Sequence, residues 1–375
     1  MNVLLAAMLL LSTASLDEAR RLAGEKKYES AMAMLDQLER KPAVLIERIK
    51  VALDGYAMCV QGGLFALRDL EPGETIERVR GTPGSYKMHA LNVTELQKSA
   101  PDHAELLTWL GHLAYFRAHQ CGPEDATDAL AKSLYERAQQ LGAGSGRLRR
   151  NLALIYLQER NTTKAVPLFR ASAADHADDP QFEYNFGYAL YMEKSRKEAL
   201  PHVERAFHLY KDEKLVSEAA LLAAFIAWDL KDRKKALEMA SQADKHKSEN
   251  YYSIYTKLFG LYGEMREWPK VEDLADRLFE LDPKNPRLAQ DVIGGYAQMN
   301  RPGDVDGFFA RQLKKQQSNQ EAIGNLLYHR GQWNAQNGRR AQARADLLEA
   351  REHFAKVLPA DHQVFTAIEA NLKGL

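Results

Sequence analysis

The apolar positions of the chain recur at intervals of three and four over long stretches, and each such run is followed, after a short polar turn, by a second run of similar length. That interval is helical, so the pattern predicts helices in pairs. Residues 151–169 superpose on residues 185–203 with Asn151 on Asn185, Ala165 on Ala199 and Pro167 on Pro201, each pair 34 residues apart. Extended both ways, the register places a small residue at Ala31, Ala131, Ala165, Ala199, Ala236, Val271, Val305 and Ala343, with steps of 34, 34, 37, 35, 34 and 38 from Ala131 onward. An apolar or small pair precedes each slot by thirteen and twelve residues, an aromatic residue often by nine, and an apolar residue follows by four; Leu152, Ala153, Tyr156, Ala165 and Phe169 show the full set. Polar turns at 159–162, 193–196 and 231–233 separate the halves. Each unit therefore predicts a helix hairpin, and the slot must be small because a larger side chain there pushes the crossing axes beyond about 8–10 Å. Pro167 and Pro201 fall in the first turn of their second helices, where a missing N–H is tolerated.

Leu281-Asp282-Pro283 and Asp179-Pro180 close two of these units. With the 34-residue period and the small crossing residue, they make the chain resemble the tetratricopeptide repeat (TPR) family over 104–358, and again over 16–38, where residues 23–31 supply the turn and the slot. The resemblance implies an all-α fold, a right-handed α-solenoid of TPR-like hairpins with one irregular inserted segment; a solenoid of another helical-repeat family is the alternative. The expected organisation is a signal peptide at 1–14, a first hairpin at 15–41, an irregular segment at 42–103, tandem repeats at 104–358 and a C-terminal capping helix at 359–375.

Within 42–103 the period is lost. Residues 44–57 read as helix, whereas residues 62–76 carry glycine and proline punctuation, and Glu71-Pro72-Gly73 fits a type II turn between two short strands. A helix through Leu70 competes with that hairpin. The stretch also looks like the opening of SET-domain methyltransferases, which would imply an enzyme, but the Asn-His-Ser motif and catalytic tyrosine region of that family have no counterpart in the helical remainder. A structural loop or contact surface is the better reading.

The N-terminus adds a second theme. Residues 3–11 form a nine-residue apolar run with no charged residue before Asp17, and Ser12 and Ala14 are small. The run is too short for a membrane span of about twenty residues and has the length of a secretory h-region, so cleavage near Ala14 and a periplasmic or secreted protein are expected. No lysine or arginine precedes the run, and an uncleaved first helix of a cytosolic TPR adaptor is the alternative. No cysteine follows it to carry a lipid anchor.

Composition narrows the function. The chain has 375 residues, 51 basic and 51 acidic, with 45% hydrophobic and 27% charged residues. The balance gives no basic excess for nucleic acid and no polybasic stretch for a stable membrane anchor. Cys59 and Cys121 are too few for a disulfide scaffold or a four-thiolate zinc site, and free buried thiols are expected. His112 and His119 are the closest approach to a metal pair, but seven helical residues separate them by about 10.5 Å. The glycine-rich run 142–146 lies between helices, not between a strand and a helix, and reads as a connector. Residues 175–179 lack the pattern of a calcium loop and read as a cap for the next helix. No catalytic set, metal, cofactor or small-molecule substrate is expected.

In TPR proteins the first helices of successive hairpins line the concave groove that receives peptides or partner helices. Counted from the repeat frame, that face carries Arg150 and Asn151, then Tyr184, Asn185, Tyr188 and Tyr191, then Leu221, Phe225 and Trp228. Tyr, Trp and Arg are the composition of a binding hot spot, and inter-repeat packing is the competing use of the same rings. Asn151 and Asn185 share a slot where family members often carry asparagine near the ligand backbone, which would suit a peptide carboxylate, but Thr108 and His112 stand where the chaperone-clamp members need lysine and asparagine. The expected function is a non-catalytic protein–protein interaction scaffold binding a peptide or partner helix, set in a bacterial cell envelope.

Overall fold

The structure, a computed structural model, describes residues 15–55, 58–60, 63–79, 82, 86–89, 98, 101–121, 127–246 and 251–375. The expected signal peptide and much of the expected irregular segment lie outside the described residues. All eight small slots are buried, none more than 1% exposed. Each lies in the second helix of a hairpin, where close crossing requires it. The first hairpin pairs α1 (Leu16–Gly24) with α2 (Tyr28–Asp36); α3 (Pro42–Asp54) and the short α4 (Ile76–Val79) follow. Seven more hairpins pair α5 (Ala104–Gln120) with α6 (Asp128–Gln140), α7 (Gly146–Gln158) with α8 (Thr162–Ser172), α9 (Pro180–Met192) with α10 (Arg196–Leu209), α11 (Glu213–Asp229) with α12 (Arg233–Lys245), α13 (Tyr251–Met265) with α14 (Trp268–Glu280), α15 (Pro286–Gln298) with α16 (Gly303–Lys315), and α17 (Gln320–Gln336) with α18 (Arg340–Ala355). The final helix is α19 (Gln363–Lys373). Pro167 and Pro201 stand inside α8 and α10, past the first turn in which the sequence pattern places them. The fold is an all-α solenoid of stacked hairpins, divided into two compact units, 1–177 and 178–375.

A repeated backbone device closes the hairpins. Lys26, Arg160, Lys194, Lys231, Arg266 and Asn300 have φ between 56° and 70°, and Gly338 has φ 72°; each stands five residues before its small slot. The next residue donates its N–H back across the turn, as Ser195 does to the Leu190 carbonyl and Asp232 to that of Ala227, both at 2.9 Å. This is the Schellman closure of a helix C-terminus, usually built on glycine. Here five of the seven turns use lysine or arginine, whose charge complements the negative end of the helix dipole.

The inserted segment departs from the expectation of a hairpin around Pro72-Gly73. Strands β1 (Met58–Val60), β2 (Gly63–Leu67) and β3 (Tyr86–His89) form an antiparallel sheet in that order, with Met58 opposite Phe65 and Leu64 opposite His89. Gly73 at φ 86° does make a tight turn, closed by Glu74 N–H to Glu71 O at 3.0 Å, but it leads into α4 and not into a strand. A helix through Leu70 is excluded by β2. Asp69, just past β2, accepts from the backbone N–H of Glu29 at 2.7 Å and of Ser30 at 3.0 Å. It caps α2, whose own N-cap residue, Lys27, offers no side-chain bond. Cys121 is disulfide-bonded, which corrects the expectation of free thiols; the sequence contains one other cysteine, Cys59.

Candidate functional site

In the first unit, the residues nominated for a groove are largely spent on packing. Asn151 is 8% exposed, and its Nδ2 donates to Tyr135 Oη at 3.0 Å. Tyr135 in turn lies 2.8 Å from His112 Nδ1. Burial holds the His112 imidazole neutral, pushing its pKa down to about 3, with the Arg147 cation adding to the effect. The polar triad is thus a buried tie between α5, α6 and α7, and the expectation that Asn151 holds a partner is corrected. Thr108 is likewise buried, with Oγ1 turned back to the Ala104 carbonyl at 2.9 Å. Arg150 is half-buried. Nearby, Lys50 Nζ and the Arg147 guanidinium lie 5.2 Å and 5.6 Å from the Trp109 ring centre. Run 142–146 is a connector: Gly142 turns at φ 91°, and Ser145 caps α7 through Leu148 N–H at 3.3 Å. His119 stacks on Tyr115 with ring centres 4.1 Å apart.

In the second unit, α9 divides cleanly. Phe182, Glu183, Phe186, Gly187 and Leu190 are buried, whereas Tyr184, Asn185 and Tyr191 are half-buried and Tyr188 and Met192 are exposed at 37% and 44%. Asp179 caps this helix through Gln181 N–H at 2.9 Å and Phe182 N–H at 3.2 Å, which fixes its start and hence the register of its open face. Gly187 allows the close crossing, since a Cβ there would sit 2.5 Å from Val203 Cγ2. The nominated residues separate by role. Tyr184 joins the cluster of Ala206, Tyr210, Val216 and Ala219, with burial pushing its hydroxyl up to about 12. Leu221 is 4% exposed and belongs to the core. Phe225 and Trp228 are half-buried. Tyr188, Met192, Phe225 and Trp228 therefore remain as the accessible apolar part of the first-helix face.

Polar ties to successive hairpins flank that face. Arg196 pairs with Asp229 at 2.6 Å, its guanidinium 6.0 Å from the Tyr191 ring centre. Trp228 Nε1 donates to Glu264 Oε2 at 2.7 Å. Similar pairs recur about one repeat apart on other faces, including Arg277 with Asp244 at 2.6 Å and Arg311 with Asp276 at 3.0 Å. Beyond Glu264, a cleft of about 850 Å³ opens between α13 and α15, with Gly260, Gly294, Asp291 and Gln298 among its walls. A Cβ on Gly260 or Gly294 would meet nothing within 4 Å, so the cleft floor there is bare helix backbone. Among the described residues no group of three or more His, Cys, Asp or Glu side chains is placed to hold a metal, and no helix is long and apolar enough to cross a membrane.

No family model matches the chain, and no curated protein matches it. Similar solved structures are repeat proteins. The TPR protein YrrB, described as having an unusual peptide-binding site, is 18% identical, with 42% of this chain and 76% of that chain covered and a TM-score of 0.36. The pilF protein of Pseudomonas aeruginosa is 17% identical, covering 58% of this chain and 94% of that one at a TM-score of 0.38. A tetratricopeptide repeat protein from Parabacteroides merdae is 14% identical, covering 72% and 97% at 0.41. These are distant likenesses; the repeat architecture rests on the buried slots and closed turns of the chain itself.

Proposed function

We propose that the protein is a non-catalytic interaction scaffold that holds a peptide or partner helix against the first-helix face of its second unit. The observation that carries this reading is the open stripe on α9. Tyr188 and Met192 leave large apolar surfaces in solvent on a helix whose other side is fully packed, and they lie beside Phe225 and Trp228 on the next first helix. Exposed aromatic and methionine surface on a rigid frame is costly unless a partner covers it. A linear stack suits chains and helices, because each hairpin touches only its neighbours and encloses no small substrate. Export to an oxidising compartment is part of the proposal, supported by the apolar run at 3–11 and by the disulfide at Cys121; a cytosolic adaptor is the competing reading.

The test is capture of partners from native extract with the mature chain, beside a Tyr188→Ala, Met192→Ala, Trp228→Ala variant shown by circular dichroism to stay helical. A protein held by the first and lost from the second supports the face. The same proteins on both baits would remove it. The N-terminus of the purified native chain decides export: a start after Ala14 supports it, and an intact Met1 overturns it.

A further inference from the structure

The sequence has no net charge, but the hairpin turns of the second unit concentrate cations along one edge. Lys194, Lys231 and Arg266 hold the left-handed turn position of three successive hairpins, at φ 70°, 66° and 59°. In the first turn of the following second helices stand Lys197, Lys234 and Lys270. All six are exposed, and none is ion-paired with a carboxylate among the described residues. Equivalent positions in stacked hairpins fall on the same edge, so the six cations form a row. The arginines that share this edge are already neutralised, Arg196 by Asp229 and Arg233 by Glu267. Against the row stand four exposed carboxylates, those of Glu193, Glu198, Asp232 and Glu264; Asp232 caps α12 through Lys235 N–H at 3.0 Å, and Glu264 accepts from Trp228 Nε1. Counted formally, six cations against four anions leave the edge at +2.

Two further features bear on what such an edge meets. A left-handed backbone is costly for a lysine or arginine and nearly free for glycine, at about 1–2 kcal/mol per residue. The dipole of the preceding helix offsets part of that cost, at Lys26 and Arg160 of the first unit as well as here. Half-buried aromatic rings also sit beside the row: Lys231 Nζ lies 6.0 Å from the Trp228 ring centre, and Trp268 begins α14 two residues after Arg266. Both rings are engaged within the protein, Trp228 with Glu264 and Trp268 under the Arg301 guanidinium at 4.4 Å, so the cations are the part of the edge that faces outward, and their spread over successive turn tips matches a flat anionic surface better than a single threaded chain.

We propose that this edge of the second unit docks on an anionic phospholipid surface, the basic row meeting phosphate headgroups. The attraction is electrostatic and reversible; because Lys231 reaches the Trp228 ring, the basic edge adjoins the first-helix face and does not coincide with it.

The experiment is co-sedimentation of the full chain with vesicles of phosphatidylcholine containing phosphatidylglycerol, beside vesicles of phosphatidylcholine alone, with and without added salt. The comparison variant is Lys194→Asn, Lys231→Asn, Arg266→Asn. Asparagine tolerates the left-handed turn, so this variant keeps its fold, verified by circular dichroism and melting. The wild type is expected to bind the anionic vesicles and be released by salt, and the variant to lose on the order of a hundredfold in partitioning, roughly fivefold per cation. Wild type that ignores anionic vesicles, or a variant that sediments as well as wild type, would overturn the proposal. Soluble polyglutamate that binds the edge while vesicles do not would overturn it too, and would assign the row to an acidic polypeptide.

Discussion

The indole N–H of Trp228 donates to the Glu264 carboxylate at 2.7 Å, joining residues 36 positions apart on the first helices of neighbouring hairpins. The bond gives a residue nominated for ligand contact a second task, holding the pitch between repeats. Trp228→Phe keeps most of the ring and removes the donor. It is expected to cost about 1 kcal/mol in chemical denaturation, with Glu264→Gln nearly silent because its amide oxygen still accepts. A Trp228→Phe loss above about 3 kcal/mol would mean that ring packing, not the bond, is the main contribution.

The closed turns give a prediction of the opposite sign. Lys194→Gly relieves a backbone at φ 70° and is expected to raise stability by about 0.5–1 kcal/mol. Gly338→Ala, at φ 72°, is expected to lower it by a similar amount. Denaturation midpoints of the two variants should move in opposite directions.

Helical glycines divide in the same way. Gly187→Ala forces a methyl against Val203 and the Ala199 carbonyl, 3.1 Å from the added carbon, and is expected to cost about 2 kcal/mol. Gly260→Ala and Gly294→Ala meet open space in helix interiors and are expected to stabilise by up to about 1 kcal/mol each. Thermal melts of the three variants test the contrast, and destabilisation by the latter two would show that the cleft floor is already occupied.

His112 sets a pH dependence. Its folded pKa, about 3, lies below the ordinary histidine value of 6.5, so the unfolded chain takes up a proton that the folded chain refuses. Stability from this group is full above about pH 6.5 and falls as the pH drops toward 3. Between pH 7 and 4.5 the loss is expected to be about 2–3 kcal/mol. His112→Gln, which can still bond Tyr135 without titrating, should flatten that part of the curve relative to wild type. Parallel pH profiles of the two would assign the loss to other groups.

The oxidised state of Cys121 is checked by thiol counting. Unreduced native protein should show no alkylatable cysteine, and non-reducing peptide mapping should recover Cys121 only in a cross-linked peptide. A modified Cys121 without prior reduction would contradict the structure and remove one support for export.

Much of the fold was legible because its constraint repeats. A crossing that admits only a small residue leaves the same mark every 34 or so positions, and all eight marks are buried in the structure. Most turns were legible only as polar gaps, since at five of the seven the residue that closes them is lysine or arginine where glycine would have announced the geometry. The site was read less well for a related reason. Periodicity identifies the face of a helix but not how far a neighbour covers it, so Asn151 and Leu221 shared a predicted face with Tyr188 and proved buried. The sheet escaped because its pairing joins β2 to β3 across a stretch with no alternating pattern.

Asp69 carries a consequence for the ancestry of the inserted segment. It caps α2 from forty residues downstream, through backbone donors at Glu29 and Ser30. A fragment ending at Lys41 would therefore hold a second helix with its first amides unsatisfied, and a chain with the segment excised would lose the same cap. The first hairpin and the insertion are then energetically coupled, by about 1 kcal/mol through this cap. Relatives that lack the insertion are expected to place Ser, Thr, Asp or Asn near the Lys27 position, where a local side chain can supply the missing cap.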